Sequence, residues 1–101
     1  MITVIDIGNS TIAIGLSEDG RTIDRKYSIS TDKSRSIDEY AIILNELIKD
    51  VQHAIIASVV PELNEVFRDF FQTRFGFQPL FLSSGVKTGI RIFTDSPKEV
   101  G

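Results

Sequence analysis

Apolar and polar positions alternate along this chain with two different periods, and the change of period marks its elements. Ile2–Ile7 and residues 11–16 are dense in β-branched residues and are separated by Gly8-Asn9-Ser10, which predicts strand, tight turn, strand. Glu18-Asp19-Gly20 supplies a second hairpin signal, because an Asp-Gly pair tolerates the positive φ angles of such turns. A third strand is predicted over about residues 21–30, and its ragged alternation suits a sheet edge. An antiparallel three-stranded meander therefore opens the chain.

Beyond a polar loop over residues 31–35 the period lengthens. Ser36, followed three residues later by Glu39, matches a capping box. From there Ile37, Tyr40, Ala41, Leu44, Leu47, Ile48 and Val51 recur 3 or 4 apart, as one face of an α-helix requires. Residues 53–60 form a short apolar run suited to a buried strand, and Pro61 suits the first turn of a second helix. Glu62 and Glu65 complement its positive end, Leu63, Val66, Phe67, Phe70 and Phe71 make its apolar face, and Gly76 is a C-terminal stop. Residues 79–82 and 88–93 read as strands separated by Ser83-Ser84-Gly85. This order predicts an α/β fold: a mixed sheet that opens with the meander and carries helices packed on it.

A chain of 101 residues, 42% hydrophobic and 25% charged, has the size and make-up of one globular domain rather than a disordered segment. With no Cys, disulfides, thiolate zinc sites and cysteine nucleophiles are excluded. Eleven Lys and Arg against fourteen Asp and Glu leave a net charge of −3, which argues against nucleic acid or anionic lipid as partner. The opening MITVIDIGNS lacks the basic flank and cleavage site of a secretory signal, and no apolar run approaches the roughly 20 residues of a membrane span. A soluble, cytoplasmic protein is the expectation.

Strand alternation places Ile2, Val4 and Asp6 on one face of the first strand and Thr3, Ile5 and Ile7 on the other, so Asp6 is expected on the side of residues that face the core. A carboxylate there needs a partner, a cation or a proton, which makes Asp6 a candidate for holding a metal or its water shell. Gly8 permits close backbone approach, and the N–H groups and side chains of Asn9, Ser10 and Thr11 are suited to donate to phosphate oxygens. The same residues also satisfy a simpler reading, in which Gly-Asn-Ser is hairpin chemistry and Asp6 lies near enough to the strand end to reach water. His53, the single histidine, supports neither a catalytic triad nor a zinc cluster. Arg21, Arg25, Lys26, Lys33 and Arg35 gather around the third strand, either as a charge-guarded edge or as an anion-binding patch.

Three motifs stand in order along the chain: Asp6-Ile7-Gly8-Asn9-Ser10, then Ser58-Val59-Val60-Pro61-Glu62-Leu63-Asn64, and finally Asp95-Ser96-Pro97-Lys98-Glu99-Val100-Gly101. Together, with Asp38-Glu39-Tyr40 opening the first helix, they resemble the type III pantothenate kinases over the whole chain. The resemblance implies one half of a ribonuclease H-like, actin-like ATPase fold, in which two halves close on ATP. By that resemblance Asp6 holds Mg²⁺ through its water shell, while Gly8, Asn9, Ser10 and Thr11 contact the ATP phosphates. It further implies phosphoryl transfer from ATP to pantothenate, a monovalent cation (K⁺ or NH4⁺), and a homodimer as the full-length protein.

Two departures accompany it. Thr94-Asp95-Ser96-Pro97 stands where the family carries Tyr-Asp-Asn-Pro, whose tyrosine is associated with pantothenate; Thr94 and Gly101 are thus the implied substrate positions, with Thr94 altered. The family continues past Glu-Val-Gly into Ala-Asp-Arg, whose aspartate serves as general base, so no catalytic residue is expected before Gly101. Residues 1–101 are accordingly read as the N-terminal, ATPase-like domain of a longer kinase, inactive alone. The alternatives are a non-catalytic regulatory relative and another kinase of the same fold.

Overall fold

β1 (Ile2–Ile7) and β2 (Thr11–Ser17) form the hairpin that their β-branched runs predict, with Ile7 opposite Ile12 beside the bend. The computed structural model describes residues 1–82. It adds β3 (Arg25–Ser30), antiparallel to β2, and then α1 (Ile37–Leu47), β4 (His53–Ser58), α2 (Pro61–Phe75) and β5 (Leu80–Leu82). β4 pairs in parallel with β1, and β5 in parallel with β4, giving the order β3-β2-β1-β4-β5. This mixed sheet with two helices is the α/β fold class that the order of elements predicts. The strand expected over residues 88–93 lies outside the described residues.

Both helices contribute to one core on one face of the sheet. Ile5, Ile7, Ile12, Ile14 and Ile56 meet Tyr40 and Leu44 from α1 and Leu63, Phe67, Phe70 and Phe71 from α2, all buried. The strand expectation needs correction here. The helix-covered face carries Thr3, Ile5 and Ile7, whereas Ile2, Val4 and Asp6 occupy the opposite, half-buried face. Thr3 is tolerated in the core because its hydroxyl donates to the Gly15 carbonyl at 2.9 Å, leaving no unpaired polar group. On the other face Ala57 is buried among Val4, Ala13, Ile23, Ile55 and Leu82.

β3 starts at Arg25 rather than Arg21, and the second turn is a wide loop. The Asp19 carboxylate accepts the amides of Arg21 (2.8 Å) and Thr22 (2.9 Å), and Asp24 accepts that of Glu18 (2.8 Å), so the backbone is satisfied locally and does not join the ladder. Those amide bonds hold the Asp19 carboxyl below its ordinary pKa. Similarly, α1 stops at Leu47. Ile48 and Val51 are buried beyond its end, while Ile37, expected on the apolar face, is 49% exposed. Asp50 adopts a left-handed φ of 56°, which an Asp accepts more readily than most residues, and turns the chain into β4.

The helix starts match their local signals. Ser36 accepts the Glu39 amide (3.1 Å) while the Glu39 carboxylate accepts the Ser36 amide (2.7 Å), a complete capping box. Ser36→Ala is expected to destabilise the fold by about 1 kcal/mol. The check is a urea midpoint lowered at constant m-value, and an unmoved midpoint would show the box to be energetically silent. α2 places Pro61 at its start and ends on Gly76 in the left-handed conformation, φ 78°, whose amide bonds the carbonyls of Phe71 and Gln72 at 3.0 Å.

Candidate functional site

Three connections leave the sheet at one edge. β1, β3 and β4 run in the same direction, so their carboxyl ends carry the β1–β2 bend, the loop into α1 and the entry to α2 side by side. Ligands of open α/β sheets bind outside such carboxyl ends.

The bend is Asn9-Ser10 between Gly8 and Thr11, closed by the Gly8 amide donating to the Thr11 carbonyl at 2.9 Å. Neither Asn9 nor Ser10 has positive φ, so this is not the mirror-image turn favoured in hairpins. Gly8 itself has no positive φ; its lack of a side chain matters because a Cβ would sit 3.1 Å from the Thr11 carbonyl oxygen. Two further bonds come from Thr31, whose hydroxyl donates to the Gly8 carbonyl (2.7 Å) and whose amide donates to the Ser10 carbonyl (2.9 Å). The carbonyl side of the bend is thus occupied. Asn9, Ser10 and Thr11 are exposed, and the amides of Asn9 and Ser10 have no hydrogen-bond partner among the described residues.

Asp6 lies two residues before Gly8, half-buried, with Ala13 and Ala57 as its register partners on either side. Neither methyl can satisfy a carboxylate, and among the described residues the Asp6 side chain has no ion pair or hydrogen bond. Within five consecutive positions the chain thus carries a carboxylate suited to a cation and two amides suited to an anion, none with a partner among the described residues.

The surrounding loops are tied down. Val59 donates to the Ile7 carbonyl at 3.0 Å, which fixes the entry to α2 against the end of β1. Lys33 pairs with Glu62 at 3.5 Å, linking the loop before α1 to the first turn of α2. The Glu62 carboxyl is held below its ordinary pKa by its own backbone amide first and the Lys33 ammonium second, and that of Asp32 by the Ser34 hydroxyl and amide. Both remain ionised near neutrality. Arg35 donates to the Ser30 carbonyl (2.9 Å) and lies over the Tyr40 ring at 5.2 Å. The basic cluster read from the sequence is divided: Lys33 and Arg35 are at this edge, whereas Arg25, opposite Leu16, is at the other end of β3. His53 is exposed at the start of β4, whose first residue is at the opposite edge.

The structure places Gly8, Asn9, Ser10 and Thr11 at the bend and Asp6 two residues before it, on the face away from the helices. Thr94 and Gly101 lie outside the described residues. Thr31 was not singled out from the sequence, because its partners are 21 and 23 positions away and no local pattern announces them. Ala13 and Ala57 were missed because small apolar residues in strands read only as core.

A family model described as type III pantothenate kinase matches residues 2–101. Type III pantothenate kinases of Geotalea uraniireducens and Citrifermentans bemidjiense are 41% and 42% identical to this chain over 108 aligned positions, covering all of it and 42% of each relative. The chain therefore spans less than half the length of these curated relatives. Among solved structures, Archaeoglobus fulgidus Pelota superposes with a TM-score of 0.55 at 17% identity, covering 93% of this chain and 30% of that one, a likeness of fold alone. The match over residues 2–101 establishes that this chain belongs to the type III pantothenate kinase family.

Proposed function

We propose that this chain supplies the first phosphate-binding loop of a longer protein that transfers the γ-phosphate of ATP to the primary hydroxyl of pantothenate, the first committed step towards coenzyme A. The observation that carries the reading is the bend, whose Gly8 and Ser10 carbonyls are engaged by Thr31 while the Asn9 and Ser10 amides and the Asp6 carboxylate have no partner among the described residues. Phosphoryl transfer depends on positioning and on neutralising charge, and donors with a cation-holding carboxylate supply both.

The residues fit Mg²⁺ of the kind that accompanies a nucleotide. Mg²⁺ usually keeps several waters and takes one or two carboxylates plus substrate phosphates. Among the described residues Asp6 has no protein partner, which suits that pattern, and no group of three or more His, Cys, Asp or Glu offers an all-protein cage. When bound, the ion offsets charge on the phosphate oxygens. Asp6 would hold it through water, Asn9, Ser10 and Thr11 would orient the phosphates, and Gly8 keeps the bend free of a side chain. The same reading has pantothenate near Thr94 and Gly101, and the longer protein working in the cytoplasm as a homodimer with K⁺ or NH4⁺; no described residue is assigned to that cation.

The test is a coupled assay of ATP-dependent phosphopantothenate formation. The longer protein is expected to be active and residues 1–101 alone to show no turnover, since the general base is supplied from outside this chain. A longer protein that binds ATP but never phosphorylates pantothenate would overturn the substrate assignment, and turnover by the isolated chain would overturn its division of labour.

A further inference from the structure

We infer that Thr31 is a positioning residue for the phosphate bend, which rests on the reading of that bend given above. A trans peptide unit is planar, with its C=O and N–H pointing in opposite directions. No cis peptide occurs among the described residues. Fixing the Gly8 carbonyl therefore also fixes the direction of the Asn9 amide, and fixing the Ser10 carbonyl fixes that of the Thr11 amide. Thr31 bonds both carbonyls, at 2.7 Å through Oγ1 and at 2.9 Å through its amide. Of the two amides without a partner among the described residues, Thr31 thus sets the aim of that of Asn9 through its hydroxyl, and it holds the following Ser10–Thr11 peptide unit through its amide, without touching the ligand.

Thr31 is itself anchored to the core. The next residue, Asp32, is held at both backbone groups by the Tyr40 hydroxyl, which accepts the Asp32 amide at 3.0 Å and donates to the Asp32 carbonyl at 2.9 Å. Tyr40 is fully buried, its ring 5.8 Å from that of Phe67. A continuous strut therefore runs from the α1–α2 core through Asp32 and Thr31 to the bend. Donors held in advance need no reorganisation when the phosphate arrives, and that is where such a strut contributes.

Two variants of the longer protein separate this role from a merely structural one. Thr31→Val keeps the shape and the amide but removes Oγ1, whereas Thr31→Ser keeps the hydroxyl. Thr31→Val is expected to raise the KM for ATP and the Kd for ATP with Mg²⁺ about 10-fold, the scale of one lost hydrogen bond. The KM for pantothenate is expected to change little, the unfolding midpoint to fall by only the few degrees that one hydrogen bond supplies, and Thr31→Ser to restore ATP binding. Equal ATP affinity in Thr31→Val and the unsubstituted protein overturns the inference, as does a loss that Thr31→Ser shares. Where Thr31→Val does not fold, Tyr40→Phe removes the strut one step earlier; a raised KM for ATP supports the inference and an unchanged one overturns it. An unsubstituted protein that does not bind ATP instead removes the reading of the bend itself.

Discussion

Asp6→Asn in the longer protein is expected to lower kcat/KM for ATP by about 100-fold or more while leaving the unfolding midpoint within a few degrees. The substitution is isosteric and removes only the charge. Because the Asp6 carboxylate has no partner among the described residues, its loss strands no buried group, and the two register neighbours, Ala13 and Ala57, are indifferent to it. Catalysis is different, since an amide is a poor substitute for a carboxylate that has no protein partner among the described residues. The apparent affinity for Mg²⁺ should fall with activity. Turnover equal to that of the unsubstituted protein would remove Asp6 from the site, and a collapse of stability would mean that the carboxylate is structural.

The opposite profile is expected for Phe71→Ala: about 3–5 kcal/mol of stability lost, with the nucleotide site unaffected wherever the protein stays folded. Phe71 is fully buried and packs edge-on against Phe70 at 5.1 Å and stacked against Phe77 at 5.6 Å, so truncation removes burial and leaves a cavity bordered by rings that cannot all close in. It follows Pro61, which opens α2 at the bend's edge, by ten positions, a rise of roughly 15 Å along the helix. For a domain of this size the midpoint should fall by about 12 °C or more. Thermal unfolding and the KM for ATP at low temperature together make the check. A shift of only a few degrees would show that the aromatic cluster relaxes to fill the space.

Signals confined to a few neighbouring residues translated almost directly into structure. The Ser36–Glu39 box starts α1, and Pro61 and Gly76 bracket α2, because each depends only on hydrogen bonds and backbone sterics within one turn. The bend was legible for the same reason, its residues being contiguous. Where a local signal competes with another, reading by period fails. The stretch before β3 is a loop because Asp19 captures the amides of Arg21 and Thr22, and the apolar stripe of α1 outlasts its helix because Asp50 turns the chain.

The sequence by itself determined the order of elements, the hairpin that forms the bend and, through motifs spread over the chain, the family. Which face of β1 carries Asp6 was decided only when both helices packed onto the Thr3, Ile5 and Ile7 side, since both faces are apolar enough to serve as core. The pairing of Asp6 with two alanines and the grip of Thr31 on the bend likewise arise from strand register and loop docking. Caps and turns are short-range and additive along the chain, whereas the surroundings of a carboxylate and the aim of an amide depend on residues brought together by the whole packed sheet.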